Sequence, residues 1–191
     1  MSAISPQVHA PEPSHVRLGV LLFIVSEAML FGGFFAAYFA LRGAAATWPP
    51  TPELERPELP LAAFNTLLLI ASSVTLQRGV GAVRRNDRRG AARLITITLA
   101  LGAAFLAIQL VEFSRNSFGI GDGVFGSTFY TLTGFHGAHV AVGLLAIAAL
   151  ARRARRGLLT PESEPAVDAI SYYWHFVDAV WIVLFTTVYV L

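Results

Sequence analysis

Five stretches of this chain are apolar and long: Val16–Leu41, Leu61–Val83, Ala91–Phe113, Val124–Ala151 and Ala169–Leu191. A helix rising ~1.5 Å per residue needs roughly 20 residues to cross a ~30 Å hydrocarbon core, and every stretch meets that length. None alternates apolar and polar residues with a period of two, so a transmembrane barrel does not suit them and helices are the spanning structure that remains. Composition agrees: 55% of the 191 residues are hydrophobic and 14% charged, with a mean hydropathy of +0.61, outside the range of a soluble domain. The expectation is an all-α integral membrane bundle of five transmembrane helices, residues 16–191 forming one domain behind a polar tail at 1–15. The tail, with Pro6, Pro11 and Pro13, lacks the Arg-rich amphipathic pattern of an organelle transit peptide. The stretch after it is too long for a signal-peptide core and is expected to stay as a helix.

Arginine placement orients such a bundle. Arg17, Arg78, Arg84, Arg85, Arg88, Arg89, Arg93, Arg152, Arg153, Arg155 and Arg156 fall at one set of segment ends, while the other set has only Arg42, Arg56 and Arg115. The positive-inside rule then places the N-terminus in the cytoplasm and, after five spans, the C-terminus outside. The net charge is only +2, and its concentration at helix ends implies lipid headgroups as partners and no nucleic acid. The chain has no cysteine, which removes disulfides, Cys-ligated zinc and iron–sulfur clusters together.

Ionisable groups inside hydrocarbon are costly, so those in the spans are informative. In Trp174-His175-Phe176-Val177-Asp178-Ala179-Val180-Trp181, an imidazole and a carboxylate stand three apart and share one helical face, with the two tryptophans seven apart beside them. At ~1.5 Å per residue, Glu27 lies ~15 Å beyond Arg17, near the bilayer centre. It reads as an un-ionised carboxyl hydrogen-bonded to a neighbouring helix, or alternatively as a proton-handling or lipid-facing site. His136 and His139, three apart near mid-membrane, read either as a metal- or haem-ligating pair or as a hydrogen-bonded packing device. Gly134 with Ala138, and Gly137 with Ala141, have the small-xxx-small spacing of closely approaching helices.

The connections are plainer. Residues 43–60 hold five prolines and three glutamates and read as an extended outer loop. Asn65, Thr66, Ser72 and Ser73 read as small polar groups satisfied locally or by a facing helix. Arg84 to Gly90 reads as a tight cytoplasmic turn, Glu112 as an interfacial carboxylate, Asp122 or Ser127 as the N-cap of the fourth helix, and Arg152 to Asp168 as the final loop.

Four runs, taken in order, closely resemble subunit III of the haem-copper respiratory oxidases: Ser26-Glu27-Ala28-Met29 with its aromatic tail, Asp122 to Phe129, Gly134-Phe135-His136-Gly137-Ala138-His139-Val140, and Trp174 to Trp181. The resemblance spans all five helices and is to the five-helix bacterial form; seven-helix members carry two further N-terminal helices, which form a V-shaped lipid cleft with the rest. It implies an accessory subunit of an aerobic terminal oxidase in the bacterial cell (inner) membrane. Such a subunit packs on catalytic subunit I among the other subunits, binds phospholipid, and supports proton uptake and sustained turnover. Haem and copper are then expected in partner subunits and none on this chain. By resemblance, Glu27, His136, His139, His175 and Asp178 are the family's buried polar positions, and lipid headgroup contact falls to Arg155 and Arg156, whose guanidinium forks suit phosphate.

Close relatives of that family serve quinol oxidases and nitric oxide reductases, although Gly121 to Phe129 looks more like the cytochrome c oxidase version. Two other classes compete. A small proton channel or transporter is motivated by Glu27 and Asp178, and a membrane cytochrome by His136, His139 and His175.

Overall fold

The computed structural model describes residues 13–50 and 58–191. Residues 1–12 of the expected tail, the Arg17 side chain and Arg56 lie outside what is described. Five helices follow in order: α1 (Pro13–Ala44), α2 (Leu59–Arg84), α3 (Arg88–Arg115), α4 (Gly123–Arg155) and α5 (Glu164–Phe185). All five are long and apolar enough to cross a membrane. A 3-10 turn at Pro161–Ser163 leads into α5, and a π-helical turn at Thr186–Val190 continues it. No strand occurs among the described residues.

Local chemistry sets the helix ends. The α2–α3 turn closes on Asn86, at φ 56°, a conformation asparagine tolerates better than most residues. Asp87 then caps α3, its Oδ1 accepting from the Gly90 amide at 2.9 Å. Asp122 holds the N-cap position of α4 but does not cap it with its side chain. Its Oδ2 instead accepts from the Gly119 amide at 2.7 Å, and Ser127 donates back to the Ile120 carbonyl, so both expected caps tie down the preceding loop. The expected final loop is shorter than Arg152 to Asp168. Helix α4 runs on through Arg152, Arg153 and Arg155 until Gly157, at φ +68°, breaks it, and prolines 161 and 165 start the next helical turns where their missing N–H groups cost nothing.

Helices α2, α3, α4 and α5 close into a four-helix ring in which each touches the next, and α1 leans on the outside against α4 and α5. Trp174 is the ring's central side chain, fully buried. A Cβ on Gly102 of α3 would lie 2.9 Å from its indole, and one on Gly143 of α4 would lie 2.8 Å away. Its Nε1 donates to Ser72 Oγ of α2 at 2.9 Å. One turn-pair along α5, the buried Trp181 donates to Thr66 Oγ1 at 2.9 Å. Gly102 and Gly143 are therefore the glycines that admit close packing around Trp174. A Cβ at Gly134 would meet open space, and one at Gly137 would make only an ordinary 3.8 Å contact with Leu106, so the small-xxx-small pairs around them do not bring helices of this chain together.

Two arginines align the helix ends. Arg84, at the end of α2, pairs with Glu164 (2.9 Å) and Asp168 (3.0 Å) at the start of α5. At the opposite end, Arg42 of α1 donates to the Leu191 carbonyl at 2.6 Å. The Arg-rich α2–α3 turn and the α4 terminus thus share one end of the bundle.

Candidate functional site

The carboxyl groups deep in the spans, Glu27, Asp178 and Glu112, stand at three seams. At the first, α1 meets α4: His139 Nε2 stands 2.9 Å from Glu27 Oε2, and its Nδ1 is 2.7 Å from the Phe135 carbonyl one turn earlier. A carbonyl can only accept, so Nδ1 carries a hydrogen and Nε2 faces the carboxyl. Glu27 and His139 can then share one proton, either as carboxyl and neutral imidazole or as an ion pair. Both are mostly covered, with 18% and 15% of their side chains exposed. Phe31 packs edge-on to the His139 ring at 5.0 Å, and Tyr173 OH of α5 donates to the His139 carbonyl at 3.0 Å.

His136 takes a different direction. It is fully buried inside the ring, edge-on to Phe105 at 5.9 Å and tilted over Trp181 at 5.0 Å. The two histidines of α4 therefore do not converge: one joins the aromatic core and the other binds α1. Among the described residues, no group of three or more His, Asp or Glu side chains is arranged to hold a metal.

The second seam joins α2 to α5. His175 Nδ1 and Asp178 Oδ2 are 3.9 Å apart, and Ser73 of α2 lies between them, 3.0 Å from the imidazole and hydrogen-bonded to the carboxyl group of Asp178. His175 Nε2 is 3.2 Å from Gln77 Oε1. Asp178 is nearly covered, whereas 39% of the His175 side chain is exposed. The third seam is internal to α3, where Gln109 donates to Glu112 at 3.1 Å. Glu112 is buried, with 3% exposure. The α3 face that carries this expected interfacial carboxylate turns into the ring.

At the Arg-rich end, Arg155 and Arg156 line an open groove of about 550 Å³ together with Arg152, Ala148, Ala151, Thr96 and Leu99. The groove runs between α3 and α4, cationic at the helix terminus and apolar deeper in.

Sequence reasoning named both partners of the first seam but not their pairing, and it named His175 and Asp178 without the bridging Ser73 or Gln77. A sequence carries no sign of which spans are neighbours, although Ser73 and Gln77, four apart on α2, do share a face.

The family described as cytochrome c oxidase subunit III matches residues 8–191. The cytochrome c oxidase subunit 3 of Thermostichus vulcanus is 43% identical over 185 residues, covering 96% of this chain and 91% of that protein. The probable cytochrome c oxidase subunit 3 of Nocardia farcinica is 44% identical over 194 residues, covering 98% and 94%. The cytochrome c oxidase subunit 3 of Struthio camelus is 39% identical over 181 residues, covering 91% of this chain and 69% of its own length. A match across nearly the whole chain, through all three polar seams, means that this five-helix membrane protein belongs to the cytochrome c oxidase subunit III family.

Proposed function

We propose that the chain is a non-catalytic accessory subunit of a cytochrome c oxidase in a bacterial cell membrane, with the Arg-rich end of the bundle in the cytoplasm. It packs on the catalytic subunit, holds phospholipid, and supports proton uptake and lasting turnover. The observation that carries this reading is the engagement of its mid-membrane imidazoles by its own helices. His139 is held by Glu27 and the Phe135 carbonyl and His175 by Ser73 and Gln77, while His136, whose ring nitrogens have no hydrogen-bond partner among the described residues, is fully enclosed by aromatic rings. An axial haem ligand or a copper ligand needs a free ring nitrogen aimed at an open coordination position and oriented by a second partner. The bonds here use the nitrogens of His139 and His175 to join helices, which does not fit such a site. Haem and copper accordingly belong to partner subunits.

The residues that suggested a channel also favour the accessory role. Glu27 lies at the α1–α4 seam and Asp178 at the α2–α5 seam, so they do not line one path. For phospholipid, the groove carrying Arg155 and Arg156 supports headgroup binding, because charged forks at the helix end surmount an apolar channel suited to an acyl chain.

The test is to delete this chain and purify the remaining oxidase. Haem and copper content of the core is expected to be unchanged, with oxygen consumption that begins near normal and decays faster over successive turnovers. Loss of a stoichiometric haem with the chain overturns the proposal.

A further inference from the structure

The α2–α5 seam is unlike the rest of the membrane-facing surface. The far sides of the ring expose aliphatic side chains such as Leu145, at 73%, and Leu110, at 59%. Exposed hydroxyls elsewhere in the spans are satisfied by their own helix: Ser26 donates to the Phe23 carbonyl and Thr96 to the Ala92 carbonyl. At the α2–α5 seam, by contrast, part of the His175 ring is exposed. Gln77 is exposed as well, and with its Oε1 facing His175 its Nε2 amide has no acceptor among the described residues. At ~1.5 Å per residue, Gln77 lies ~10 Å and Ser73 ~16 Å from Arg84 at the helix end, so both are within the hydrocarbon span. Acyl chains cannot hydrogen-bond, and an amide left facing them costs free energy that a protein neighbour removes.

The polar group also lies on a continuous stripe. Tyr172, His175, Ala179 and Ile182 recur every three or four residues on the outward face of α5, beside Val74 and Gln77 of α2. This is the spacing by which one helix receives another, with Ala179 giving room for close approach.

We propose that the α2–α5 face receives a membrane-spanning helix from another chain of the oxidase. That helix brings a hydrogen-bond acceptor, a hydroxyl, carbonyl or carboxylate oxygen, to the level of Gln77 Nε2. The inference rests on the reading of this chain as one subunit of a larger assembly, and it specifies the face and the chemistry of contact. The chain's own Ser73, His175 and Asp178 form a prebuilt polar platform behind Gln77, whose Oε1 stands 3.2 Å from His175 Nε2.

The test uses the intact complex in native membranes, with a photo-crosslinking amino acid substituted in turn for Ile182, Leu145 and Leu110. Ile182, 49% exposed beside the stripe, is expected to crosslink to a single different polypeptide, while Leu145 and Leu110 are not. Adducts of Ile182 to lipid alone, to a second copy of this chain, or a polypeptide crosslink confined to Leu145 or Leu110, overturn the proposal. Each of those outcomes leaves subunit membership standing, because co-purification of the wild-type chain with the haem-copper core reads that separately. A second measurement works through sign. Ala179→Leu, which leaves the Gln77–His175 contact in place, would on a lipid-facing surface leave retention of the subunit in detergent unchanged or improved. On a partner-facing surface it is expected to lower retention several-fold, because the larger side chain blocks the close approach that Ala179 allows.

Discussion

Gly143 of α4 stands so close to Trp174 of α5 that a Cβ on it would lie 2.8 Å from the indole ring. The same ring lies nearly as close to Gly102 of α3 and is anchored by its bond to Ser72, which limits how far it can yield. Gly143→Ala gains about 0.5–1 kcal/mol of helix propensity, but overpacking a core that cannot relax costs about 1–3 kcal/mol. The second effect wins. The variant is expected to unfold at lower temperature in detergent, whereas Gly134→Ala, whose new methyl meets open space, leaves the midpoint level or slightly raised. Equal midpoints for Gly143→Ala and wild type would show that the tryptophan is not confined as described.

Orientation gives a second prediction. The Arg84–Asp168 pair and the Arg42–Leu191 bond place the two arginine populations at opposite ends of the bundle, eleven against three in the sequence. With the larger set held in the cytoplasm, a reporter active only outside the membrane and fused after Leu191 is expected to be active. A silent external reporter, with an active cytoplasmic one at the same position, inverts the whole bundle.

A third prediction follows from the bonds that occupy the imidazoles. Purified alone, the chain is expected to have no Soret absorption after reconstitution with haem, since His139 and His175 would have to break helix-joining bonds to become ligands and His136, though its nitrogens are not hydrogen-bonded, is fully buried among aromatic rings. A stoichiometric Soret band that disappears in His139→Leu would identify a membrane cytochrome instead.

How much of this was legible beforehand depended on whether the signal lay within one helix or between two. Apolar length fixed the five spans, because hydrocarbon thickness sets a helix length regardless of neighbours. The costly residues Glu27, His139, His175 and Asp178 stood out for the same reason. What did not follow was direction. His136 and His139 share a face in a three-residue spacing, yet the offset between them is enough for one to enter the ring beside Trp181 and the other to reach α1. Glu112 was placed by depth alone, and depth along a helix says nothing about the rotation that turns it into the ring. Gly134 and Gly137 matched a close-packing spacing, but the contact was set elsewhere by a tryptophan from a helix over thirty residues further on.

The last prediction concerns Glu27. His139 Nδ1 is committed to the Phe135 carbonyl, so Nε2 is free to accept, and the carboxyl of Glu27 meets it at 2.9 Å. In Glu27→Gln the amide N–H can donate to that same nitrogen, preserving shape and one hydrogen bond while removing the exchangeable proton. Assembly is therefore expected to survive, whereas Glu27→Leu leaves His139 Nε2 unpaired and costs about 1–3 kcal/mol, seen as α1 detaching more readily from α4. The glutamine variant thus separates two roles that the leucine variant confounds. If Glu27 only ties α1 to the ring, oxygen consumption by the Glu27→Gln complex follows the wild-type time course at matched subunit content. If the shared proton serves proton supply or the lipid arrangement beside the catalytic subunit, consumption starts near the wild-type rate and decays faster with successive turnovers. The second course is expected, because a carboxyl that served packing alone would be matched by a neutral amide, which avoids the cost of holding an ionisable group at that depth. Superimposable decay curves would leave Glu27 as a helix tie and nothing more.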